Sequence, residues 1–255
     1  MSQGEGHAPA ALHFAELTSP AAGALRGAVA TVLLLPVGAV EPHGPHAPLD
    51  TDSIISTAVA EAAARELSAD PALRVLVLPP IRYGVTRYAA AFPGAVSISE
   101  STLEALVTEV CTGLREQGLP HVVVVNSHFE PAHVAALRRA AERSQAVLFD
   151  LTRRRVAERL TDEFKRGAAH AGRYETSLVL AARPELVDGE RMRALPSHFV
   201  DMPAAMASGK TDFTAMEMHE AYCGAPAEAT AAEGASTLAT LSAMLVELIR
   251  EQVAA

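Results

Sequence analysis

Four short stretches of the chain, Ala30 to Val37, Arg74 to Leu78, His121 to Val125 and Ala146 to Phe149, are apolar almost without interruption. Runs of leucine and β-branched residues that do not alternate with polar ones predict strands buried on both faces. Between these runs the spacing of apolar positions changes to that of a helix. Ile54, Ile55, Ala58, Val59, Ala62 and Ala63 predict a helix over 53–67. Leu103, Leu106, Val107, Val110 and Leu114 draw one apolar stripe over 101–117, with Ser101 and Glu104 read as its capping box and Gly118 as its C-terminal cap. Pro131 fits the first turn of a helix running to about Arg143, and helical spacing returns near 152–166, 175–182 and 231–252.

Strands that alternate with helices predict an α/β fold, a mostly parallel sheet covered on both faces as a three-layer αβα sandwich. In such sheets ligands collect beyond the carboxyl ends of the strands, so polar residues that directly follow a strand carry the most information. The glycine- and alanine-rich residues 1–12 are expected to be loose, and 13–255 to form one domain. The stretch 195–222 has little periodicity and is too long for a plain connection; such loops often serve as lids or binding segments.

The 255 residues are 49% hydrophobic, which favours a packed core over disorder. A formal net charge of −9, with Arg153, Arg154 and Arg155 as the only basic cluster, argues against nucleic-acid binding as the main role. Two distant cysteines, Cys111 and Cys223, make no disulfide framework, and Cys111 falls where a small apolar core residue belongs. No basic start followed by an apolar run marks the N-terminus, and no apolar stretch is read as long enough to span a membrane. A cytoplasmic location, without membrane or nucleic-acid partners, is the expectation.

Three polar clusters carry candidate chemistry. After the first strand comes a stiff, proline-rich loop, Glu41-Pro-His43-Gly-Pro-His46-Ala-Pro-Leu-Asp-Thr-Asp52. Glu41 and His43 are two apart, and in extended chain such residues face the same way. After the third strand, Asn126-Ser-His128-Phe129-Glu130 repeats that spacing in reverse order. Carboxylate and imidazole sets suit zinc, manganese or iron. Two such pairs facing across a cleft, with a carboxylate such as Asp52 between them, could hold two ions roughly 3.5–4 Å apart. The third cluster is His170-Ala-Gly-Arg-Tyr174-Glu175-Thr-Ser177. A histidine beside a glycine can act as an accessible acid or base. Glu175 and Thr176 equally suit the start of a helix. The loop from Arg82 to Thr86, followed by Phe92-Pro-Gly94, reads either as a pocket wall, with Thr86 touching substrate, or as an ordinary turn. His198 and His219 are minor candidates.

The order and spacing of these motifs resemble the creatininase family of metal-dependent amidohydrolases, from about residue 31 to 235. The resemblance is carried by Pro36-Val-Gly38 with Glu41-x-His43-Gly-Pro-His46 and Leu49-x-Thr-Asp52, then Phe92-Pro-Gly94, Asn126-x-His128 and His170-Ala-Gly-x-x-Glu175-Thr-Ser177. Gly224-x-Pro226 with Ala229-Thr230, Glu233 and Gly234 resembles the C-terminal motif. What it implies is a three-layer α/β fold, two zinc or manganese ions with iron as an option, and a homo-oligomer, often a hexamer. It also implies roles. Glu41 and His128 would hold one ion and His43 and Glu130 the other, with Asp52 between them. His170 matches the proton-transfer histidine, and Glu175 a motif glutamate without an assigned role. The implied reaction is hydrolysis of a C–N amide bond in a small cyclic or short peptide-like substrate. A peptidase trimming a modified peptide, as in mycofactocin-type relatives, and a non-catalytic metal- or ligand-binding relative are the alternatives. Many relatives read Asn-Gly-His-Gly-Gly-Asn at the second cluster, whereas this chain keeps His128-x-Glu130 as creatininase proper does. Creatininase proper surrounds its ring-shaped substrate with tryptophans, and this chain has none, so Phe129 and Tyr174 are expected to supply aromatic surface to a different substrate.

Overall fold

The computed structural model describes residues 11–27, 29–168 and 170–254. Four parallel strands, β1 (Ala30–Val37), β2 (Leu73–Val77), β3 (His121–Asn126) and β4 (Val147–Phe149), form one sheet in the order β2-β1-β3-β4. Alternation along each strand divides the apolar side chains between two cores. From β1, Val32 and Leu34 join one core, while Leu33, Leu35 and Val37 join the other. From β3, Val123 and Val125 divide from Val122 and Val124 in the same way. This is why the strands read as unbroken apolar runs: both faces are covered.

The helices follow in chain order: α1 (Ser19–Gly23), α2 (Thr51–Glu66), α3 (Glu100–Glu116), α4 (Pro131–Ser144), α5 (Arg154–Ala157), α6 (Asp162–Lys165), α7 (Arg173–Ala182), α8 (Gly189–Ala194), α9 (Met202–Ala207) and α10 (Ala231–Ala254). Helices α2, α7 and α10 cover one face of the sheet, through Ile55, Val59, Leu178, Leu241 and Leu245. Helices α3 and α4 cover the other, through Leu103, Val107, Cys111 and Leu137. Each fully buried Leu, Ile or Val contributes on the order of 1.5–3 kcal/mol relative to exposure.

Several local expectations are corrected. Ser99, not Ser101, caps α3, accepting from the Thr102 backbone N–H at 3.1 Å. Glu104 faces α4 instead and pairs with Arg139 at 2.6 Å and Arg143 at 3.1 Å. The helical spacing near 152–166 resolves into the short α5 and α6, because the chain turns between them at Leu160 and Thr161, whose hydroxyl caps α6. Of the N-terminal segment, residues 1–10 lie outside those described, while Leu12 packs on the core and its carbonyl accepts from Val77 N–H. Helix α10 is long and apolar enough over Ala231–Val253 to cross a membrane by length and composition alone. Its Leu241, Leu245 and Ile249 are wholly buried in the core beneath the sheet. The stretch 195–222 contains α9, and its Phe213, Met216 and Met218 anchor a separate apolar cluster with Ala89, Ala168 and Cys223.

Candidate metal centre

The loops that leave the carboxyl ends of β1 and β3 meet the first turns of α2 and α7. Glu41 and His43 follow β1, His128 follows β3, Asp52 lies in the first turn of α2 and Glu175 in the first turn of α7. A helix N-terminus favours a carboxylate, since its free N–H groups carry partial positive charge. Glu175 opens the helix, accepting from Ala171 N–H at 2.7 Å, and its carboxylate also faces His43.

Asp52 is central to the geometry. Its Oδ1 lies 3.2 Å from His43 Nε2, and its Oδ2 lies 3.1 Å from His128 Nδ1. Glu41 Oε1 is 3.1 Å from the same His128 nitrogen and 3.6 Å from His170 Nδ1. Glu175 Oε2 is 3.6 Å from His43 Nε2. Three sets of donor atoms result, each mutually within 4.8 Å: Glu41, Asp52 and His128; His43, Asp52 and Glu175; and Glu41, His43 and His170. All six side chains are buried.

Each imidazole has one nitrogen committed elsewhere. His43 Nδ1 donates to the Glu41 carbonyl at 3.0 Å, His128 Nε2 to the Val85 carbonyl at 2.8 Å, and His170 Nε2 to the Pro42 carbonyl at 3.0 Å. The remaining nitrogens all turn toward the carboxylates. His43 Nε2 and Asp52 Oδ2 are buried without a hydrogen-bond partner. Lone pairs aimed at carboxylate oxygens repel unless positive charge lies between them. The site's proton affinities say the same. Burial opposes charge on His43, but Asp52, Glu175 and Glu41 overcome it and hold the imidazole at about 10. His128 is likewise held well above its usual value, against burial, by Glu41 and Asp52. Burial would raise Glu41, but His128 and His170 hold it down at about 2. Burial lifts Glu175 to about 8. Burial and the neighbouring His43 charge keep His170 neutral, at about 4. Oxygen and imidazole donors with a demand for positive charge fit divalent zinc or manganese.

Glu130 stands beside these sets rather than within them. Its Oε2 accepts from the Arg87 and Tyr88 backbone N–H groups at 2.7 and 3.2 Å, and its Oε1 is buried without a partner. Glu175 occupies the place next to His43 that the motif resemblance gave to Glu130. Thr86 is wholly buried and donates its hydroxyl to Glu41 Oε2, so it holds a site residue instead of facing substrate. Tyr174 is turned into the core, edge-on to Phe164 at 4.9 Å, and does not line the cavity. Phe129 does line it. His46 Nε2 shares a hydrogen bond with the Thr176 hydroxyl at 2.8 Å, and His198 pairs through its backbone with Gly224; neither reaches the cavity.

The cavity over the site encloses about 800 Å³. Glu41, Asp52, His128, Glu130, His170 and Glu175 lie at its polar end. Phe129, Phe164, Phe213, Met202 and Met206 supply apolar wall, and Arg138, Lys165 and Arg166 also line it. The 195–222 stretch thus forms part of the wall, with Phe213 placed 4.4 Å from the His170 ring.

Comparison with known proteins bears on the same residues. The family model Creatininase, described as creatinine amidohydrolase, matches residues 15–249. The chain belongs to the creatininase family. It is 32% identical over 204 residues to the mycofactocin precursor peptide peptidase of Mycolicibacterium smegmatis, covering 80% of this chain and 78% of that protein. It is 31% identical over 182 residues to the creatinine amidohydrolase of Pseudomonas putida, covering 63% of this chain and 68% of that one. A solved structure described as Creatininase Mn superposes with a TM-score of 0.74 at 24% identity, covering 95% and 98% of the two chains, which establishes the shared fold. Membership in the creatininase family makes this chain a metal-dependent hydrolase acting on C–N bonds.

Two contributors were not found by reading the sequence of this creatininase-family chain. The Val85 backbone holds His128 directly through its carbonyl, and His133, on the buried face of α4, holds it indirectly through the Val85 N–H. The available signal was a histidine one position before Val134 on an otherwise apolar helix face. A backbone carbonyl leaves no signal in a sequence.

Proposed function

We propose that the protein is a dinuclear amidohydrolase whose substrate is peptide-like, with an apolar body. The observation that carries the two-ion reading is Asp52, whose two oxygens face different histidines, His43 and His128, at 3.2 and 3.1 Å. One ion would be held by Glu41, Asp52 and His128 and the other by His43, Asp52 and Glu175. Zinc or manganese there would supply Lewis acidity and an acidified water. Two resident ions and a homo-oligomer belong to this reading with the support of the family resemblance, and a cytoplasmic location belongs to it on the chain's having only two, distant cysteines.

The protein's own groups do the rest. Committed to Pro42 through Nε2, His170 keeps Nδ1 free to accept a proton as water adds to the amide carbon. Its neutrality comes from burial, and it hands that proton to the departing nitrogen. Glu41, 3.6 Å from Nδ1, would stabilise the imidazolium once that proton arrives. Phe213, packed 4.4 Å from the ring centre, shields it from water. The cavity favours a peptide-like substrate over a small ring, since about 800 Å³ with aromatic and methionine walls exceeds what one small heterocycle fills.

The test is a panel of short peptides with apolar side chains and of small cyclic amides, presented to zinc- or manganese-loaded protein, with products read by mass spectrometry. Release of an amino acid or dipeptide is expected, with His170→Ala keeping its metal and losing about 10²–10⁴ in turnover. A loaded protein that cleaves nothing on the panel would move the reading to a binding protein. Full turnover in His170→Ala would remove the proton-transfer role.

A further inference from the structure

We infer that His133 determines which nitrogen His128 presents to the metal-binding side of the site. It acts as a positioning residue and touches neither substrate nor ion. The inference rests on the metal reading above and adds a residue to it.

His133 is wholly buried in α4. Its Nδ1 accepts from the Val85 backbone N–H at 3.2 Å, and its Nε2 contacts Asn126 Oδ1 at 3.0 Å. A peptide N–H can only donate, so Nδ1 must carry the lone pair and Nε2 the proton. These two partners are the same two groups that hold His128. The Val85 carbonyl accepts from His128 Nε2 at 2.8 Å. Asn126 Oδ1 accepts from the His128 backbone N–H at 3.2 Å, and Asn126 Nδ2 donates to the His128 carbonyl at 2.6 Å.

Every donor and acceptor in this closed set has a single consistent assignment. Val85 gives its N–H to one histidine and takes the N–H of the other. His128 therefore carries its proton on Nε2, and its Nδ1 lone pair faces Glu41 and Asp52, both at 3.1 Å. The two rings meet edge to face, with centroids 4.6 Å apart and planes at 88°. Gly84 makes the approach possible: a Cβ there would stand 2.6 Å from His133 Cε1. Metal-binding imidazoles are commonly fixed by a hydrogen bond from their other nitrogen. Here the acceptor of that bond is itself fixed by a second histidine. An apolar residue at 133 would leave the Val85 N–H unpaired in a buried place and free that peptide to turn. The acceptor for His128 Nε2 would turn with it.

The experiment compares wild type, His133→Leu and His133→Gln after stripping with chelator. Zinc affinity is measured by competition with a chromophoric chelator, folding by circular dichroism and melting, and imidazole tautomers by nitrogen-15 NMR. His133→Leu is expected to bind the Glu41–Asp52–His128 ion about 10–100-fold more weakly while remaining folded. His133→Gln, which offers an acceptor and a donor at its tip, is expected to recover most of that loss. In zinc-reloaded wild type both His128 and His133 should carry their protons on Nε2. Unchanged zinc affinity in a folded His133→Leu protein, or a wild-type His133 with its proton on Nδ1, overturns the inference and leaves the metal reading standing. If His133→Leu fails to fold, the wild-type tautomers and the glutamine variant still decide. A wild type that takes up no zinc overturns the metal reading itself, and this inference with it.

Discussion

Asp52 Oδ2 and His128 Nδ1 face each other across 3.1 Å, one from the first turn of α2 and the other from the loop after β3. Because Asp52 also faces His43, removing its carboxylate takes an oxygen from both donor sets at once. Asp52→Ala should therefore lose both ions, falling toward zero per chain by elemental analysis. Retention of normal metal content would refute the bridging role.

Glu175 and Glu130 can be separated in the same way. Glu175 Oε2 stands 3.6 Å from His43, whereas Glu130 Oε2 already holds two backbone N–H groups. Glu175→Gln is expected to leave about one ion per chain, on the Glu41 and His128 side. Glu130→Gln is expected to keep both ions and to lower the melting temperature by loosening residues 87 and 88. The opposite pattern of metal contents would return the second ion to Glu130.

Stripping the metal should expose a pH dependence. His43 is held at about 10 against an ordinary 6.5, and Glu175 at about 8 against 4.5. Both are raised on folding, so the stabilisation each gives is complete below its unfolded value and is lost as pH climbs through its folded one. The chelator-treated protein should thus melt at progressively lower temperature between about pH 4.5 and 10, Glu175 contributing up to about pH 8 and His43 from 6.5 upward. Zinc-loaded protein should lose most of that slope, because the ion replaces the protons. Scanning fluorimetry across this range checks both halves, and a flat profile for the stripped protein would contradict the assignment.

Away from the site, the packing of α7 on α10 depends on Gly234. A Cβ there would lie 1.8 Å from the Ser177 carbonyl oxygen, a backbone atom with little room to retreat. Gly234→Ala should cost about 1–3 kcal/mol through overpacking, despite alanine's better helix propensity. Chemical denaturation measures it. A stability equal to or above wild type would mean that the two helices separate freely.

Much of this architecture was legible in the residues. Strands with both faces buried leave an unmistakable mark, and the runs Ala30 to Val37 and His121 to Val125 differ from the observed β1 and β3 by at most one residue. The site residues were conspicuous for a related reason: Glu41, His43 and His128 are charged or polar groups placed directly after apolar runs. What escaped was direction. Nothing in the spacing says that Tyr174 turns inward to Phe164 while Glu175 beside it reaches His43, because that depends on how α7 is rotated against α2 and α10. The helix cap at Ser99 was missed because Ser101, not Ser99, has a glutamate three residues on, and that Glu104 pairs with Arg139 instead of closing a capping box.

The segment from Val85 to Tyr88 serves the site mostly through its main chain: a carbonyl to His128, and two N–H groups to Glu130. Of its side chains, only the Thr86 hydroxyl is committed to a site residue. Tyr88, whose peptide group helps hold Glu130, also lines the cavity. A change of residue at 88 would alter the shape offered to a substrate without removing the peptide contact beneath it. What must be inherited intact and what is free to diversify therefore coexist in a single residue, which gives descendants of this chain a route to new substrates that leaves the reactive machinery alone.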